Sequence, residues 1–357
     1  MERSDHHDKG AGMTSDPPAD SGMTPDLSAD AGMPAGRPDD AGMPAAPRAG
    51  LVGPIGLVDV HCHWFVFDHP SPRIGSELQD LERAGYSGLV VMPLGGLGLP
   101  PDKVPLLLPP AYRDATGLQG GRGWRLDDVD SLLEFQADWT AQEHSLEVIP
   151  FLDVRGWDGE TDLTPLFTEG PNAAGTRAGG MRGIKNILVL EEDGPKSGNS
   201  ALRHVHGLSR DDYLLLHKRC FALAERFDVP MVYHVDLTLH GDFVLDCLRA
   251  HPTVRVDIPH FGLSRRLMAG FFEEFPLLFS DIASLETHIE AGPDSYGAFF
   301  RRFGDRIMLG SDSVVAFGLD RLPRYAQVVR DLMLPPTVEQ AILSGNAGRF
   351  LGAAPAR

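Results

Sequence analysis

Cysteine is the first scarcity. Cys62, Cys220 and Cys247 are scattered through 357 residues, too few for a disulfide framework, so a reducing cytoplasm is the expected setting. Basic residues are short as well: 32 Lys and Arg against 50 Asp and Glu leave a formal net charge of −18. Nucleic acids and anionic membrane surfaces favour basic patches, so neither is an expected partner. No apolar run approaches the roughly 20 residues of a membrane span, and the opening MERSDHHDKG lacks the apolar core of a signal peptide. A Gly-rich phosphate fingerprint is also missing after the first β-type run, which argues against a dinucleotide-binding sheet.

Residues 1–50 have little that could be buried. AGM, SGM, AGM and AGM recur at Gly12, Gly22, Gly32 and Gly42, and Pro, Ala, Asp and Gly fill the spaces between. Such a composition does not offset its chain entropy by burial, so a disordered N-terminal extension is expected. The folded domain is expected over 55–352.

From Leu57 the texture changes to short apolar runs alternating with amphipathic stretches. The β-type runs are GLVDVH, SGLVVMP, LEVIPFLDV, RGIKNILVL, PMVYHV, TVRVDIPHF, LLFSDIAS and RIMLGSD. Helical patterns separate most of them, among them Asp211–Arg226, Asp242–Ala250, Arg265–Glu274 and Tyr296–Phe303, and two more close the chain at Leu322–Leu332 and Thr337–Phe350. Near-continuous apolar strands alternating with helices make a parallel sheet covered on its faces. Eight such units predict an α/β fold, a (β/α)8 TIM barrel. The Pro- and Gly-rich stretch Gly95–Gly123 is an insertion expected to cover the barrel mouth.

In a barrel, chemistry collects where strands end. His61 and His63 end the first run, Lys185 lies in the fourth, His234 ends the fifth, His260 the sixth and Asp312 the eighth. One histidine after a strand is ordinarily a packed or loop residue, and the same HxH spacing recurs at His204 and His206 in a loop-like stretch. Five imidazoles and carboxylates at ordered strand ends are different: they form a donor set for a divalent cation, and zinc takes such ligands at about 2.0–2.2 Å. Strand alternation predicts that His61 and His63 share a face, that Asp59 joins them to orient a ligand imidazole, and that Cys62 points away into packing. Arg155, in FLDVRG, is placed either to bind a substrate carboxylate or to form an ion pair with Asp153. Asp236 and His240 follow His234 within reach of a substrate.

DVHCH, GIK, PMVYHV, IPHFG, LGSD and ILSGNAGRFLG, in this order from Leu57 to Gly352, resemble the amidohydrolase superfamily. The nearest likeness is to the amidohydrolase-related branch that contains aminocarboxymuconate-semialdehyde decarboxylase. The resemblance implies that His61, His63, His234 and Asp312 are metal ligands and that Asp312 also handles the proton of the activated water. It implies that His260 polarises substrate or shuttles a proton. Lys185 matches the lysine that is carbamylated in binuclear members, or otherwise anchors a substrate carboxylate. The implied cofactor is Zn2+, with Mn2+ or Fe2+ as alternatives, the implied partner is a small-molecule substrate, and a homodimer is in keeping with related barrels.

Three functions follow as expectations. The first is hydrolysis of a small amide, ester or lactone by metal-activated water. The second is nonoxidative decarboxylation of an aromatic or enoic acid, which demands a cationic carboxylate clamp from Arg155, Arg182 or Lys185. The third is a metal-binding barrel without turnover, against which the full ligand set argues.

Overall fold

The computed structural model describes residues 56–64, 73–93, 129–168, 180–190, 207–315 and 318–352. The N-terminal extension, the Gly95–Gly123 insertion and the His204/His206 pair lie outside them. Nine parallel strands form one sheet: β1 (Leu57–Trp64), β2 (Tyr86–Pro93), β3 (Glu147–Asp153), β4 (Gly183–Ile187), β5 (Met231–His234), β6 (Val256–Asp257), β7 (Leu278–Asp281), β8 (Ile307–Met308) and β9 (Ser313–Val314). Neighbours run in the order β8-β7-β6-β5-β4-β3-β2-β1-β9. β8 and β9 belong to one segment that pairs with β7 through Ile307 and Met308 and with β1 through Ser313 and Val314. Between them Leu309 O accepts the Val60 N–H at 3.0 Å, which joins the two edges of the sheet into a TIM-barrel ring.

The eighth strand is therefore broken, and the sixth is only two residues long. Sequence runs of nine and seven residues shrink there because the backbone turns off into the site. After Asp257, residues Pro259–Leu263 form a tight helical turn, and at Asp312 the backbone turns left-handed with φ 59°. Two helices match the amphipathic patterns closely, and each has a capped N-terminal end. Ser209 accepts the Asp212 N–H ahead of helix Arg210–Arg226, and Ser264 accepts the Leu267 N–H ahead of helix Arg265–Glu274. Helix Leu237–Ala250 begins five residues before the expected Asp242 because Asp236 caps it, accepting from Thr238 N–H at 2.8 Å. That cap is the observed role of Asp236.

Two buried layers hold the barrel. Inside, Val58, Val60, Val90, Met92, Ile149, Phe151, Val232, Phe279 and Met308 fill the ring, with Phe350 among them. The Phe350 ring lies 5.8 Å from Phe279 and 6.2 Å from Phe151. Its helix, Asn346–Leu351, is tied to the eighth strand by Asn346 Nδ2, which donates to Gly304 O and Ile307 O at 2.7 and 2.6 Å. This gives the SGNAGRF motif a structural role. The glycine of GIK has a steric one: a Cβ on Gly183 would lie 2.3 Å from the Phe151 ring.

β1 departs from simple alternation, and the departure matters for the site. Asp59 pairs with Leu89 and Cys62 with Val91, so three steps on β1 face two on β2. The extra residue is a bulge that reverses which face successive side chains take. Val58 and Val60 face inward before it, while Cys62 and Trp64 lie in the outer layer after it. His61 and His63 therefore point inward together, as expected, and Cys62 packs outside. Asp59 does not join the histidines: it lies on the outer side, where Oδ1 accepts the backbone N–H groups of His61 and Ser311 at 2.9 and 3.3 Å.

Candidate metal centre

His61, His63 and Asp312 converge at the C-terminal end of the ring, each offering a ligand atom within 4.8 Å of the others. Asp312 Oδ1 lies 2.9 Å from His63 Nε2 and 3.4 Å from His61 Nε2. Asp312 reaches them because its N–H donates to His61 O at 2.8 Å and its φ of 59° turns the side chain inward. Its other oxygen accepts the Ser284 hydroxyl at 2.9 Å. The two histidines are buried, but the Asp312 side chain keeps 28% of its exposure, so the trio opens toward the barrel mouth. His260 lies beside them, its ring centroid 5.7 Å from that of His61, and His234 packs edge-on to His260 at 5.0 Å. His234 stands outside the close trio and adjoins it through His260.

The electrostatics suit a cation. Burial pushes the His61 imidazolium down to about 4, helped by the Lys185 ammonium. Burial likewise lowers His63, and lowers His234 well below its usual range with help from His260 and Lys185. Neutral imidazoles are the metal-binding form. Burial would raise the Asp312 carboxyl, but the His63 hydrogen bond and the nearby imidazoles outweigh it and hold the group ionised. On His61 the tautomer is set as well. Asp281 is a fully buried carboxylate whose Oδ2 lies 2.7 Å from His61 Nδ1. Burial alone would raise its pKa; His61 across that contact more than reverses the effect. An ionised carboxylate only accepts, so Nδ1 carries the proton and Nε2 keeps its lone pair. Two imidazole nitrogens and a carboxylate, one with its tautomer fixed from behind, fit a divalent cation.

The family model for amidohydrolases matches residues 160–353, more than half of the chain. The chain belongs to the amidohydrolase family. Among solved structures, it is similar to the phosphotriesterase homology protein from Escherichia coli, crystallised with phosphate in its active site. That match has 13% identity and a TM-score of 0.52, and covers 84% of this chain and 99% of the other. A protein from Agrobacterium tumefaciens matches with 14% identity and a TM-score of 0.50, over 85% of this chain and 98% of that one. At such identities the likeness is one of fold. No curated protein sequence matches.

The other expected residues of this amidohydrolase sort themselves around the trio. Lys185, buried on β4, places Nζ 3.2 Å from His61 Nε2, and burial lowers its pKa. Arg155 forms the ion pair with Asp153, Nε and Nη2 both bonding that carboxylate. Its Nη1 is buried and has no partner among the described residues. Asp153 is the register partner of Lys185, which puts the guanidinium at the site end of β3 and β4. Arg182 is elsewhere: it precedes β4 and pairs with Glu147 at the start of β3, at the opposite end of the barrel, so it is no clamp. His240 is buried at a non-helical kink in its helix.

Asp281, Asp257 and Ser284 are site residues the sequence did not single out. Asp257 is fully buried beside Asp281, and burial with that neighbouring charge drives its carboxyl well up, so it stays neutral. A sequence cue did exist, because a carboxylate closing a buried apolar strand must find a partner. Also unforeseen is the backbone at His260. Four consecutive residues, His260, Phe261, Gly262 and Leu263, have φ between 55° and 61°. Each non-glycine residue in that region costs roughly 1–2 kcal/mol, a strain typical of functional sites. It turns His260 so that Nδ1 donates to Ala283 O at 2.5 Å, leaving Nε2 as the acceptor nitrogen.

Proposed function

We propose that this amidohydrolase hydrolyses a small-molecule amide, ester or lactone with a divalent cation held by His61, His63 and Asp312, His234 completing the donor set. The observation that carries the proposal is the convergence of the trio at the open end of the ring, with the His61 tautomer fixed by Asp281. Nitrogen and oxygen donors suit zinc, and manganese or iron by the same chemistry. When bound, the cation supplies Lewis-acid activation of water and of the scissile carbonyl. Asp312 takes the proton of the attacking water at Oδ2, where the Ser284 hydroxyl steadies the carboxylate. His260 offers Nε2 as an acceptor, through which the proton taken by Asp312 is relayed to the leaving group. Lys185 and Nη1 of Arg155, which has no partner among the described residues, hold an anionic group of the substrate.

That same Nη1 favours a second reading, nonoxidative decarboxylation, because such a reaction needs a cation on the carboxylate side of the substrate. A panel of lactones, esters, amides and carboxylated aromatics, followed for acid release and for carbon dioxide, separates the two. Acid release without carbon dioxide, lost when metal is chelated, is the expected result. Carbon dioxide without net hydrolysis contradicts the hydrolase and establishes the decarboxylase.

A further inference from the structure

We infer that Asp281 is the positioning residue of the site: one carboxylate fixes both the tautomer of His61 and the left-handed turn that presents His260. β7 contributes nothing to the trio itself, yet its last residues bond both His61 and the turn at His260. Asp281 Oδ2 faces His61 Nδ1 at 2.7 Å, while Oδ1 accepts the N–H groups of Ala283 and His260 at 3.1 and 3.3 Å. Ser280, one residue earlier, accepts the Phe261 N–H at 3.0 Å and donates to Ile258 O at 2.6 Å. Ala283, two residues after Asp281, accepts a hydrogen bond from His260 Nδ1–H at its carbonyl oxygen.

A left-handed run of this length does not hold itself, because three of its four residues carry a Cβ. It persists where neighbours over-determine it. Here the first two N–H groups of the turn, His260 and Phe261, are both captured by β7 side chains. The carboxylate of Asp281 thus links the ligand-bearing end of β1 to the proton-carrying histidine after β6. A lone aspartate behind a histidine sets one ring; this one sets a ring and a backbone.

The inference rests on the reading of His61 as a metal ligand, and the tests keep the two separable. Asp281→Asn retains an oxygen for the two N–H groups and presents an amide donor to His61 Nδ1, which forces the proton onto Nε2. The variant is therefore expected to fold, to bind Zn2+ roughly 10–100-fold more weakly in competition with a chromophoric chelator, and to show the Nε2–H tautomer of His61 by ring 15N NMR. The metal-stripped parent at pH 8 is expected to show the Nδ1–H tautomer. Finding the Nε2–H form in the parent overturns the inference whether or not the variant folds, and so does unchanged zinc affinity in a folded variant. If the parent binds no metal while His61 is Nδ1–H in the parent and Nε2–H in the variant, the function proposal fails and the positioning role stands.

Discussion

Asp59→Asn is expected to stabilise the protein at pH 8 and to leave it nearly unchanged at pH 4. Asp59 is fully buried on the outer side of β1, and burial raises its carboxyl from 3.8 to about 7, with the Asp281 charge adding to the effect. Oδ1 accepts two backbone N–H groups, but Oδ2 is buried without a partner among the described residues. A carboxyl with a raised folded pKa keeps its proton in the folded chain after the unfolded chain has lost it. Its contribution therefore favours folding below the unfolded pKa, falls as pH rises from about 4 to about 7, and is level above. Three pKa units correspond to about 4 kcal/mol, an upper bound on what ionisation costs the fold at pH 8. Asparagine keeps the acceptor oxygen and mimics the protonated acid, so it removes that cost. Urea unfolding of parent and variant at pH 4, 6 and 8 should show a stability difference that grows with pH. A difference that stays constant across the series would refute the burial argument and the bulge that places Asp59 outside the ring.

Gly262→Ala should destabilise strongly, because at φ 55° its Cβ would lie 2.4 Å from Leu237 Cγ; thermal unfolding is expected to report a loss of about 2–4 kcal/mol. Arg155→Lys keeps the charge but loses the fork, so it should raise KM for carboxylated substrates roughly tenfold while sparing neutral ones. A uniform loss on both classes would assign Arg155 to the Asp153 ion pair alone. Because burial holds His61 near 4 and lowers His63 and His234, protons compete poorly with a metal above that range. Zinc affinity measured from pH 7.5 to 5.5 should therefore fall less steeply than it would for three imidazoles of ordinary pKa.

Much of this was legible in the sequence, for identifiable reasons. Apolar runs spaced by amphipathic helices dictate a covered parallel sheet, and polar residues that end such runs fall on one rim. His61, His63 and Asp312 were visible on that ground alone. Asp59 misled because alternation by twos assumes an unbroken ladder, and one extra residue between Asp59 and Cys62 reverses the count. The short sixth and eighth strands were overread, since apolar residues continue through Ile258 and Leu309, each held by a single bond to a neighbouring strand after the regular ladder has ended. Asp281 was hidden by distance: 220 residues separate it from His61, and only closure of the ring brings them to 2.7 Å. Nothing local to LLFSDIAS distinguishes a carboxylate that orients a ligand from one that caps a strand.

Metal content is the most direct test of the central claim. Protein purified without added metal is digested and its divalent cations are counted, for the parent and for a His61→Ala/His63→Ala double variant. A metal centre at His61, His63 and Asp312 predicts about one divalent cation per chain in the parent and almost none in the variant, with both chains folded. A folded parent without metal, or a double variant that keeps the parent's complement, would contradict it.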